Sequence, residues 1–234
     1  MSLKPTQITT RQAALTAGIS LFLMIAAVMV AFPFTTSLIT GDATQTMQAI
    51  RKTGAGFQIG ILGWFVVLAL DIIVAWALYV YFKPVHEGYS LLTGWFRLFY
   101  TALFGTALLS LVLILLMLQG KSYLGTFSLA QQNSLAFLFL KFYKFGWLFA
   151  LGFFGIHLFG LGILAIRSSE VPTVFGILLV VAAFGYFGQT VAYLTMPNYA
   201  AYESTITAIV AAPNAIGEIA LAIWLVAKGG KQKA

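Results

Sequence analysis

Read only for apolar and polar positions, the chain alternates between six long apolar stretches and short polar connections. A helix crosses the hydrocarbon core with about 20 mainly apolar residues, and each stretch is long enough. The pattern predicts helical spans over about 12–33, 55–82, 89–118, 129–167, 173–195 and 203–227. Pro33 ends the first. A polar segment, TTSLITGDATQTMQAIRKTG, follows and reads as a loop with a turn at Gly41-Asp42. Lys83-Pro84 closes the second span and Met196-Pro197-Asn198 the fifth, while Pro213 falls inside the sixth. Ser128 and Gln131 have capping-box spacing at the start of the fourth. That fourth span would be roughly 58 Å long at 1.5 Å per residue, about twice the hydrocarbon thickness. Gly146 and Gly152 are the places where it could bend. The apolar run 12–34 exceeds the ~7–15 residues of a signal-peptide core, so it reads as a retained first span.

Composition sharpens this picture. The chain has 234 residues, of which 61% are hydrophobic and 8% charged. Ordinary soluble domains carry about 25% charged residues. The fold class expected is therefore all-α: a polytopic membrane helix bundle, with residues 1–234 forming one integral membrane domain. The net charge of +7 does not point to nucleic acid, because the basic residues sit in short loops and at the ends. Lys4, Arg11, Lys83, Arg167, Lys228, Lys231 and Lys233 fall on one side. Arg51, Lys52 and Lys121 fall on the other, with Lys141 and Lys144 near its rim. The imbalance predicts both termini on the cytoplasmic side of a multi-pass protein of the cell's inner membrane, with the lipid bilayer as its surroundings. There is no cysteine, which excludes thiol catalysis, disulfides and cysteine-ligated metals. The two halves of the chain share no repeat of pattern or of Gly and Pro interruptions.

Candidate chemistry lies where polar residues interrupt the apolar runs. Asp71 is the only charge in GWFVVLALDIIVAWALYVYF, residues 63–82. At a helix centre an Asp costs about 2.5–3.5 kcal/mol to insert, while each Leu, Ile, Val or Phe returns about 0.3–0.6 kcal/mol. Residues 64–82 contain eleven of those four types, so the helix tolerates Asp71. Counting inward from the cytoplasmic ends at 1.5 Å per residue puts Asp71 about 18 Å deep, His157 and Glu218 about 15 Å, and Arg97 about 12 Å. Four ionisable residues on four helices thus reach similar depths, as a midplane polar cluster. Asn214, four residues before Glu218, shares its helix face. Such a cluster is either a staple between helices or a proton, ion or substrate site. Gln189 and Tyr193, also four apart, either extend a polar path outward or hydrogen-bond across helices.

Other polar residues have simpler readings. Lys141 and Lys144 fall beyond the hydrocarbon core and should snorkel to the interface. His86 and His157 differ in depth by more than ~10 Å, so they cannot ligate one haem together. His157 alone could ligate a pigment or haem in a larger assembly, but a neutral hydrogen-bonded ring is simpler, and no resident cofactor is expected. No H-E-x-x-H pair, nucleophile elbow or phosphate loop is present. GFQIG at 56–60 and GFFGIHLFGLG at 152–162 suggest close helix contacts. Most aromatic residues should face lipid, with Trp95, Trp147, Tyr199 and Tyr202 near the interfaces.

The stretch FGIHLFGLGILAIRSSEVPTVFGILLVVAAFGYF, with MPNYA, IGEIALAIWLVAKG, GDA and ALYVYFKPV, resembles a bacterial and archaeal membrane family known as domain of unknown function 4386. The resemblance spans nearly the whole chain, in order. It implies a six-helix membrane protein. The family's F-G-x-H-L histidine corresponds to His157 and its G-E glutamate to Glu218. Members often have a histidine near position 143, where this chain has Tyr143 between Lys141 and Lys144. The resemblance carries no activity.

The expected function is a non-enzymatic accessory or binding subunit of a membrane complex, meeting other membrane subunits or copies of itself. The alternative is a small transporter or proton-coupled carrier, with Asp71, Glu218 and His157 as coupling groups and Arg97 as counter-ion.

Overall fold

The structure, a computed structural model, describes residues 8–119 and 125–231, apart from the side chains of 212–214. Its regular elements are all helical. They are α1 (Thr10–Phe34), a short 3-10 turn (Thr36–Leu38), α2 (Ala43–Lys52), α3 (Gly56–Phe82), α4 (Glu87–Leu118), α5 (Leu129–Arg167), α6 (Thr173–Thr195) and α7 (Tyr199–Ala227). Six of these, α1 and α3 to α7, are long and apolar enough to cross a membrane. The protein is a multi-pass membrane protein.

The chemistry of the helix ends accounts for several boundaries. Thr9 and Gln12 cap the start of α1 reciprocally: the Thr9 amide donates to Gln12 Oε1 at 3.0 Å and the Gln12 amide to Thr9 Oγ1 at 3.2 Å. The expected box at α5 is present, with Ser128 N–H to Gln131 Oε1 at 2.8 Å and Gln131 N–H to Ser128 Oγ at 3.3 Å. α5 then runs 39 residues without interruption. Gly146 and Gly152 are contact points rather than breaks. A Cβ on Gly146 would lie 2.7 Å from the Ala107 methyl, and one on Gly152 would lie 3.1 Å from Thr190 Oγ1.

The segment expected as a loop at 35–54 instead contains α2. Asp42 serves as its N-cap, accepting from the Gln45 amide at 2.7 Å. Thr46, Met47 and Ile50 form its buried side. Arg51 and Lys52 sit in the last turn, where the helix dipole favours cations. Overall polarity hid a helix that is apolar along only one narrow stripe.

The chain divides into two compact units. The first comprises Met1–Leu23, Leu70–Tyr100 and Leu151–Ala234. Here the Arg11 guanidinium takes up carbonyls at the end of α7, bonding Val226 O at 2.7 Å, Gly229 O at 2.9 Å and Leu225 O at 3.1 Å. Leu225 and Val226 lie in the last turn of α7, whose carbonyls have no partner within the helix, and Gly229 follows just after it. The glycine-rich face of α5 packs against α6: a Cβ on Gly155 would meet Ala183 O at 2.8 Å, and one on Gly162 would meet Gly176 O at 2.7 Å. Gln189 bonds across helices, donating to Tyr199 Oη at 3.2 Å and Thr207 Oγ1 at 3.0 Å. Tyr199, expected at an interface, is buried by this contact and by the Tyr193 ring.

The second unit comprises Met24–Ala69 and Thr101–Ala150. Its centre is aromatic. Trp64 meets Phe104 and Trp147 edge-on at 5.3 and 5.7 Å, and Tyr143 stacks on Trp147 at 6.2 Å. Trp64, Phe104 and Tyr143 are buried, so the expectation that aromatics mostly face lipid fails for this group. Trp147, expected at an interface, belongs to it. The polar edges are satisfied: Trp64 Nε1 donates to Thr35 Oγ1 at 2.8 Å, and Tyr143 Oη pairs with Thr36 Oγ1 at 2.9 Å. The GFQIG glycines make close contacts, Gly56 against Phe34 and Gly60 against Thr35.

Candidate functional site

Three of the expected cluster residues meet inside the first unit. Asp71 comes from α3, Arg97 from α4 and His157 from α5, with exposures of 0%, 1% and 1%. Arg97 donates twice to the same carboxylate oxygen: Nε to Asp71 Oδ1 at 2.8 Å and Nη2 to Oδ1 at 2.6 Å. Arg97 Nη1 lies 3.3 Å from His157 Nε2, and His157 Nδ1 lies 2.9 Å from the Thr93 carbonyl oxygen. A carbonyl only accepts, so Nδ1 carries the ring proton and Nε2 offers its lone pair to the guanidinium. The result is one line of bonds, carboxylate to guanidinium to imidazole to backbone, joining three helices.

Local sequence explains how these groups reach one another. Thr93, Arg97 and Tyr100 lie four and three residues apart, on one face of α4. Thr93 turns its own hydroxyl back to Tyr89 O at 2.8 Å, leaving its carbonyl to His157. One turn beyond His157, a Cβ on Gly160 would stand 2.5 Å from Thr93 Oγ1, so only glycine lets α5 approach this closely. Phe154, one turn before His157, places its ring 5.3 Å from Arg97 Cζ in a cation–π contact. It also packs against Tyr100 at 4.8 Å and Tyr186 at 5.7 Å. Thr93, Tyr100 and Phe154 were not singled out from sequence. Helical spacing from Arg97 and His157 is the signal that would have found them.

The pair balances its own charge. One acid and one guanidinium are buried together, and a neutral imidazole takes a further donor. The cleft bordered by Ser90, Thr93, His157 and Leu161 has no space for a water molecule. Asp71 Oδ2 stands apart: it is buried and has no hydrogen-bond partner. Buried Tyr100 lies beside the pair, and Glu218 of α7 also influences it. Glu218 itself is partly exposed. Asn214 lies outside the described side chains. Both ring nitrogens of His157 are engaged, Nδ1 by the Thr93 carbonyl and Nε2 by Arg97. Among the described residues no three His, Asp or Glu side chains gather as a metal site.

Comparison with known proteins agrees with the resemblance read from the motifs. A protein of Archaeoglobus fulgidus, described as an uncharacterized protein, is 32% identical over 171 residues, covering 73% of this chain and 84% of its own. No solved structure matches. Residues 16–229 match the family described as Domain of unknown function (DUF4386), a span that includes Asp71, Arg97, His157 and Glu218. The chain belongs to that family.

Proposed function

We propose that this membrane protein is a non-enzymatic accessory or binding subunit of a membrane complex. In this reading it lies in the inner (cytoplasmic) membrane with both termini on the cytoplasmic side. The observation that carries the reading is the closure of the polar cluster. Arg97 spends Nε and Nη2 on Asp71 and directs Nη1 to His157, and the cleft beside His157 admits no water. A solute path needs space, and the tight packing beside His157 supports a clasp between α3, α4 and α5 more readily. The partner surfaces would be other membrane helices or a second copy of the chain. Purification in mild detergent followed by native mass spectrometry tests this. A stoichiometric assembly is expected, whereas an isolated monomer that moves solute in vesicles would overturn the reading. The chain lacks cysteine, so a single Lys231→Cys or Arg51→Cys variant reports sidedness through membrane-impermeant labelling.

A second reading, a small proton-coupled carrier, is favoured by one observation. Asp71 keeps a buried oxygen without a hydrogen-bond partner, a place where a proton could be held. In proteoliposomes, Asp71→Asn or Glu218→Gln should then abolish flux driven by a pH gradient while the protein stays folded. Flux that persists in both variants excludes this carrier.

A further inference from the structure

We infer that the exchangeable proton of the buried cluster belongs to Asp71, on Oδ2, and that His157 holds one fixed neutral tautomer. The inference deepens the carrier reading by naming the proton as the ion and one atom as its seat.

Histidine is the usual first choice for a switch near neutral pH. Here its bonding opposes that choice. Nδ1–H is committed to the Thr93 carbonyl at 2.9 Å, and Nε2 accepts from Arg97 Nη1 at 3.3 Å. A proton added at Nε2 would turn that acceptor into a donor aimed at another donor. Arg97 cannot give up its proton to relieve the clash. Two cations would also face each other in a buried site. Gly160 keeps α5 seated against Thr93, so the ring has little freedom to turn away.

Asp71 is built the opposite way. Both bonds that Asp71 receives from Arg97 fall on Oδ1, and Oδ2 has none. A proton on Oδ2 therefore breaks no existing bond: Oδ1 becomes the carbonyl oxygen and still accepts from Nε and Nη2. An unpartnered oxygen of an ionised carboxylate is costly to bury, and neutralising the group lowers that cost. Uptake takes the carboxylate to the neutral acid and changes the cluster from zero to one positive charge, on Arg97. Arg97 and Tyr100 of α4, His157 of α5, Tyr186 of α6 and Glu218 of α7 are the titratable or charged groups around this event. Of these, Glu218 is the second acid.

The sequence makes the test clean, because the chain has only two aspartates, Asp42 and Asp71, and two histidines, His86 and His157. The full chain is placed in lipid bilayers with carbon-13 at the Asp carboxyl and nitrogen-15 in the His rings, and followed by solid-state NMR across the pH range of the folded protein. Asp42→Ser, which retains a capping residue, assigns the Asp signals; His86→Gln assigns the His signals. The Asp71 carboxyl should move from its ionised to its neutral position as pH falls, while the His157 nitrogens keep the neutral Nδ1–H pattern. An Asp71 signal that does not move, or a His157 ring that becomes imidazolium first, overturns the inference. Asp71 titrating in vesicles that pass no solute would remove the carrier and leave the inference standing. Flux without Asp71 titration would do the reverse.

Discussion

Two buried centres hold this protein's helices by different physics. In the first unit the centre is charged: Asp71, Arg97 and His157, each essentially inaccessible. In the second it is aromatic: Trp64, Phe104, Tyr143 and Trp147, with Thr35 and Thr36 taking up the polar edges. Lipid tails are as apolar as leucine, so apolar contact alone gives helices little reason to associate in a membrane. The aromatic centre answers with shape and stacking, each ring adding a modest increment. The charged centre answers with a demand: each ion is tolerable only while its partner stays. The first should therefore fail abruptly on a single substitution and the second gradually.

The largest expected effect tests that contrast. Arg97→Met leaves Asp71 buried without its guanidinium and should destabilise the protein by about 3–5 kcal/mol, read as a collapse of the thermal transition in detergent. Adding Asp71→Leu removes the stranded ion and should recover most of the loss if the pair is a clasp. A double variant as unstable as Arg97→Met alone would show that the ions are not a removable pair. Next is Gly160→Ala, whose methyl would strike Thr93 Oγ1. Overpacking of this kind costs about 1–3 kcal/mol. Thr93→Ala on the same chain should restore the lost stability, because the carbonyl used by His157 belongs to the backbone. No rescue would mean that Gly160 matters for another reason.

Effects in the aromatic centre should be smaller. Thr35→Val strands the buried Trp64 indole N–H, at about 1–3 kcal/mol for an unsatisfied donor. Indole fluorescence should shift along with the melting temperature. Tyr143→Phe removes only the bond to Thr36 and should cost about 0.6 kcal/mol, the average for a polar contact between membrane helices. If Tyr143→Phe proves as damaging as Arg97→Met, the contrast between the two centres is wrong.

The sequence was most legible where the physics is local. Spans came from runs of apolar residues, and their ends from Pro33, the Ser128–Gln131 box and Met196-Pro197, because one stretch of chain settles each. α2 was missed since its signal is a narrow stripe, Thr46, Met47 and Ile50, in a segment polar on average. Depth counting put Asp71, Arg97, His157 and Glu218 at comparable levels, because rise per residue is a property of the helix alone. Rotation is not. Whether Asp71 turns toward Arg97 or toward lipid depends on how α3, α4 and α5 pack.

By itself, then, the chain determined that it must be a bundle of membrane-crossing helices, because so much apolar length has no other resting place. It also determined that the charges inside those helices need partners. Only the tertiary structure decided who the partners are: both Arg97–Asp71 contacts on a single carboxylate oxygen, both nitrogens of His157 engaged, Oδ2 left over. Hydrogen bonds are fixed by angles and tenths of an ångström between distant segments, and a pattern of residue types along one strand of chain does not contain those distances.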